Sequence, residues 1–185
     1  MQHPWRALPA TVRRGLLKRT TILAVLLTIF MARIGAPLDS PAAPLGIVSL
    51  ELARTPEKME RILHEWTPRQ EATARRSVRL DFTYLVVYAL ALSLACAALA
   101  DAPWLRQRAV TTAAAALSWG SLLAGALDAV ENAALLAALR GAAMATAPPV
   151  AFAAASLKFA LVAAALLLLA TGGVLRLSRT PEHAT

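Results

Sequence analysis

Charge is scarce in this chain. Only 16% of its 185 residues are Asp, Glu, Lys or Arg, against about a quarter in ordinary soluble domains. With 58% hydrophobic residues and a mean hydropathy of +0.56 beside it, that scarcity argues against a soluble enzyme, a disordered regulator or a fibrous protein. Cysteine is almost absent. Cys96 stands alone inside an apolar run, so there is no internal disulfide and no CxxC site, and it reads as a small packing residue. Acidic residues number 11 against 19 basic ones, a net charge of +8. No compact basic domain exists to carry that excess to nucleic acid, so the expected contacts of the basic residues are anionic lipid headgroups. A zinc-protease motif is missing too: His64-Glu65 begins like HExxH but lacks the second histidine.

What the chain does have is four runs apolar enough to cross a bilayer, which takes about 20 residues each. They are expected at about 16–34, 81–100, 109–139 and 150–175, and the third is longer than the hydrocarbon core needs. Lys18 and Arg19 can snorkel from the first, and Pro149 suits a first helical position in the fourth. The first run resembles a signal sequence in its basic start. Its long leading segment and the lack of a clean A-x-A site favour a retained anchor.

Orientation follows the positive-inside rule. Arg6, Arg13, Arg14, Lys18 and Arg19 precede the first span, Arg106 and Arg108 link spans two and three, and Arg176 and Arg179 follow the fourth. The other side has Arg140 in its short loop. The 35–80 loop carries seven Lys and Arg, which count less because of its length. Both termini are therefore expected in the cytoplasm, with the 35–80 loop outside. Trp5 and Trp104 read as interfacial aromatics on the cytoplasmic side. Within the loop, Val48, Leu50 and Leu52 alternate with polar or small residues, an extended pattern. Thr55-Pro56 and Thr67-Pro68 are helix starts, the second running into span two. Met59, Ile62, Leu63 and Trp66 form an apolar stripe at helical spacing. Two readings of that stripe stay open: a lid on the outer membrane face, or a helix that covers the end of the bundle.

Ionisable groups inside spans are costly and need an account. Asp81, Tyr84 and Tyr88 share one face of span two. Ser118, Ser121, Gly125, Asp128 and Asn132 recur at spacings of three and four on span three, a small-or-polar seam that lets helices approach and bond. Glu131 sits one position off that seam, and span four carries Lys158. By helix rise Tyr88, Glu131 and Lys158 place polar groups of three helices at similar depth in the outer half of the membrane. The expectation is that Asp81, Tyr84, Tyr88, Asp128, Glu131, Asn132 and Lys158 converge, with Lys158 paired to Asp128 or Glu131 and with Arg33 and Arg79 available to balance Asp81. Such a cluster is either a polar staple for helix register or a pocket for a proton, a cation or a lipid headgroup. Asp81, Asp128 and Glu131 also have the chemistry to hold a hard cation. No nucleophile–base pair is visible, which weighs against a membrane-embedded lipid-modifying enzyme.

The stretches TPEKMERILHEW, LDFTYLVVYALAL, LDAVENAALL and SLKFALVAAALLLL resemble a group of bacterial four-helix integral membrane proteins. The likeness covers about Ser49 to Leu175 and is most specific at Asp81-Phe82, Tyr88, Asp128 with Glu131-Asn132, and Leu157-Lys158-Phe159. It implies a bacterial envelope protein and carries no activity or catalytic role with it. The combined expectation is an all-α bundle of four transmembrane helices with one helical extracytoplasmic loop, a single domain in the bacterial inner membrane. It needs no cofactor. Membrane lipids are its expected partners, and a second copy or another membrane protein stays open.

Overall fold

The computed structural model describes residues 1–178, so the expected charge at Arg179 lies outside the described residues. The described chain is helical throughout, with α1 at Ala10–Gly35, α2 at Ile47–Glu51, α3 at Pro56–Glu65, α4 at Pro68–Ala100, α5 at Arg108–Ala138 and α6 at Ala147–Leu177. A single 3-10 turn, Ala36–Leu38, follows α1. Four of these helices, α1, α4, α5 and α6, are long and apolar enough to cross a membrane.

The start signals explain where helices begin. The Thr55 hydroxyl accepts from the Lys58 amide, and Pro56 fills the first turn, where no N–H is needed. Thr67 and Gln70 form a reciprocal capping box that launches α4. From there α4 runs unbroken for 33 residues, about 50 Å at helical rise, so its first turns project beyond a bilayer core. The fourth span differs slightly from expectation: its helix begins at Ala147, which places Pro148 and Pro149 behind the first position yet still in the first turn.

In the bundle, α5 packs against both α4 and α6, while α1 lies against α4. Small residues set the α4–α5 spacing. A Cβ at Gly125 would come within 2.8 Å of the Ala89 Cβ, so only glycine allows this approach. One turn and more further along, Ser93 and Ser118 clasp each other, each hydroxyl donating to the other's carbonyl, at 2.6 and 2.8 Å. Helix α1 buries almost nothing and presents Ile22, Val25, Leu26, Ile29 and Phe30 outward. That is the surface of a helix solvated by lipid.

The 36–67 segment is a folded cap on one end of the bundle. Leu38, Leu50 and Met59 are wholly buried, and the Trp66 indole donates to the Leu38 carbonyl at 3.0 Å. The Met59–Ile62–Trp66 stripe faces Val78 of α4, Leu135 and Ala138 of α5 and Ala151 of α6. The stripe is therefore spent on covering the bundle end. The extended pattern expected at Val48–Leu52 is corrected here: Ile47–Glu51 is a short helix. An alternation of six residues specifies a strand only beside a strand to pair with, and this cap has none among its described residues.

Candidate functional site

The polar residues of the spans converge at the cap end of the bundle. Asp128 of α5 is at the centre: its Oδ1 accepts from Lys158 Nζ of α6 at 3.0 Å, and its Oδ2 from the Tyr88 hydroxyl of α4 at 2.8 Å. Lys158 Nζ also lies 2.7 Å from Glu131 Oε2. Asn132 donates to Asp81 Oδ2 at 2.6 Å and so ties α5 to α4 one turn nearer the cap. Asp128, Glu131, Asn132 and Lys158 are all at most 6% exposed. The periodic seam on α5 explains why: Ser118, Ser121, Gly125, Asp128 and Asn132 are buried along one line. Glu131, adjacent to it, turns into the same interior.

Tyr84 has a different role from its neighbours. It stacks obliquely on Tyr88 with ring centroids 5.2 Å apart, but its hydroxyl bonds Thr28 of α1 at 2.9 Å and not an acid. Arg33 and Arg79 are exposed, and neither forms an ion pair with Asp81. The balance expected from them is corrected: long basic side chains at helix ends gain more from water and headgroups than from turning inward.

One member escaped the sequence reading. Glu51, at the end of α2, reaches from the cap to within 3.8 Å of Lys158 Nζ. Burial holds its carboxyl well above the usual carboxylate range; nearby Lys158 opposes that and Glu131 reinforces it. The turn that aims α2 rests on Gly46, whose φ is +54° and where a Cβ would meet Asp39 Oδ1 at 2.9 Å. Read as an extended strand, this segment would have pointed Glu51 to the polar side. Only the helix and its place on the bundle bring it in.

The cluster thus holds four carboxyl groups, Glu51, Asp81, Asp128 and Glu131, around one ammonium. Fully ionised, it would carry three uncompensated negative charges in a low-dielectric interior, which neighbouring carboxylates resist by taking up protons or binding cations. Glu131 shows the shortage of donors directly: it is 0% exposed, and neither of its oxygens receives a hydrogen bond of good direction. Among the described residues, no three acidic, histidine or cysteine side chains are arranged to hold a metal ion. Beside the cluster lies a cavity of about 200 Å³, lined by Glu51, Asp81, Tyr84, Tyr88, Asp128 and Lys158, and bounded by Val48, Phe159 and Val162.

A second polar group occupies the opposite, terminal end. His3 is buried and sits 3.1 Å from Asp101, which also accepts from Arg13 at 2.5 Å. Partial burial pushes the Asp101 carboxyl up, but hydrogen bonds and charge from Arg13 and His3 outweigh it and hold it below the usual range. Trp5 is not a plain interfacial aromatic. Its indole donates to Ser93 Oγ at 2.8 Å, and the first residues thereby fold over the ends of α4 and α5. Trp104 packs with Leu99, Leu105 and Ala114.

Between the two polar groups the α4–α5 interface closes on Ala89, Ala124 and Gly125, which carry no side-chain polar atom. The acidic cluster therefore does not continue along this interface toward the terminal end. Comparison with known protein families, characterised proteins and solved structures gave no match.

Proposed function

We propose that this chain is an inner-membrane protein that binds a small positively charged species, a proton or a cation, in its cap-side pocket. The observation that carries the reading is the imbalance of four carboxyl groups against the single Lys158 around a cavity of about 200 Å³. Such a site has affinity for positive charge and repels anions. The close apolar contact of Ala89 with Gly125 supports binding over conduction, because a proton or ion has no polar side chain as partner there. In this reading the basic terminal end, with Arg6, Arg13, Arg14, Arg106 and Arg108, lies in the cytoplasm, and the cap faces outward. A bacterial envelope is the setting that the resemblance of the four stretches suggests.

Infrared difference spectroscopy of the purified protein in lipid nanodiscs tests this. The wild type should show a protonated-carboxyl band near neutral pH that disappears at high pH. Glu51→Gln or Glu131→Gln should remove or shift it while circular dichroism stays helical. If no buried carboxyl titrates and both variants merely melt at a lower temperature, the cluster is a staple and the binding reading fails.

A further inference from the structure

Resting on that reading, we infer that the cap-side pocket takes the ammonium head of an amphiphile, which reaches it sideways from the lipid. The cavity lining unites the two features that recognise an organic ammonium group. Carboxylates of Asp81 and Asp128 supply charge, the Glu51 carboxyl joins them as a hydrogen-bonding group, and the rings of Tyr84, Tyr88 and Phe159 supply π-faces. The resident ammonium already behaves this way: Lys158 Nζ lies 4.6 Å from the Phe159 ring centroid. A hard metal ion is a poor occupant, since no three acidic groups among the described residues are placed to ligate one. An ammonium asks less, because hydrogen bonds and ring faces replace a coordination shell.

The side from which the ligand arrives follows from what closes the other sides. Above the pocket the cap is a packed layer, with Leu38, Leu50 and Met59 at 0% exposure. Behind it stand α5 and the close apolar Ala89–Gly125 contact. The remaining rim is Val48, Phe159 and Val162, and two of these belong to the membrane-spanning α6. Phe159 is 39% exposed there. Helix α1 packs chiefly on α4, where Thr28 bonds Tyr84, and not on α6. The opening is apolar, lies within a spanning helix and leads to a charged interior. A tail left in lipid with its head in the pocket satisfies both halves. At about 200 Å³ the space suits a head with a few methylenes and not a whole lipid. Glu131 adds a sign of unfilled demand in the same cluster: it is wholly buried, its cationic neighbour is the shared Lys158 at 2.7 Å, and neither of its oxygens receives a well-directed hydrogen bond.

The test is saturable binding of radiolabelled dodecylammonium to the full chain in zwitterionic nanodiscs, with partition into empty nanodiscs subtracted. Unlabelled dodecylammonium should displace the label, whereas dodecanol, methylammonium and sodium should not. Asp81→Asn should weaken binding by about tenfold or more, the cost of one charge-assisted contact. Val162→Trp, which fills the rim without touching any charge, should abolish binding while the protonated-carboxyl infrared band is kept. Displacement by methylammonium or sodium as effective as by dodecylammonium would mean that the site takes cations from water, which overturns this inference and leaves the binding reading intact. No saturable binding to the wild type, with its infrared band present, would mean a proton-only site and also overturns it. Equal displacement by dodecanol, or unchanged binding in both variants, would place the label elsewhere and overturn it. Absence of both signals would defeat this inference and the binding reading together.

Discussion

Replacing Lys158 with methionine keeps most of the side-chain volume and deletes the only ammonium in the cluster. The wild-type Nζ meets Asp128 Oδ1 at 3.0 Å and Glu131 Oε2 at 2.7 Å, with Glu51 Oε2 at 3.8 Å. Without it Asp128 keeps only the Tyr88 bond, and Glu131 keeps no cationic partner. An unpaired buried charge is too costly to persist, so the folded variant must take up at least one proton that the unfolded chain does not hold. At pH 7, protonating a carboxyl of ordinary pKa costs about 4 kcal/mol, which matches the cost of about 3–5 kcal/mol for breaking a buried pair. Because the folded variant then binds more protons than the unfolded one, its stability falls as pH rises. The deficit relative to wild type should shrink by about 1.4 kcal/mol for each pH unit lowered from 7 toward 5. Unfolding by increasing SDS fraction in mixed micelles, followed by circular dichroism at several pH values, measures it. A deficit that is the same at every pH would refute the reasoning, because it would arise from lost packing and not from stranded charge.

Three further outcomes are expected. Gly125→Ala should destabilise the bundle by about 1–3 kcal/mol through overpacking against Ala89, and Ala89→Gly in the same chain should recover part of the loss in the same micelle assay. Burial raises the Glu51 carboxyl well above its ordinary range, so the folded wild type holds a proton that the unfolded chain releases above its own lower value. Wild-type stability should therefore drop as pH rises out of the ordinary carboxylate range, and Glu51→Gln should flatten that part of the profile; an unchanged slope would clear Glu51 of the effect. Reporter fusions should read cytoplasmic after Arg176 and external within the 55–66 segment, and the opposite pattern would turn the pocket toward the cytoplasm.

The four long apolar helices were legible in the residues alone, because burying a backbone in lipid leaves it little choice but to bond to itself within each span. So were the capped starts at Thr55 and Thr67, which depend on contacts within four residues. The polar line from Ser118 to Asn132 was legible for a related reason: on a helix, spacing fixes the face, and the charges on that face must avoid lipid. What spacing along one helix does not carry is the partner on another. That Tyr84 bonds Thr28 of α1, that Trp5 reaches Ser93, and that Arg33 and Arg79 stay outside are settled by helix order and rotation. Glu51 is the clearest case. Its six-residue surroundings fit an extended segment as well as a helical one, and nothing local prefers an acid turned inward. Only the assembled cap, with Gly46 turning α2 onto α6, brings that carboxyl to Lys158 and makes the pocket more acidic than the spans alone would.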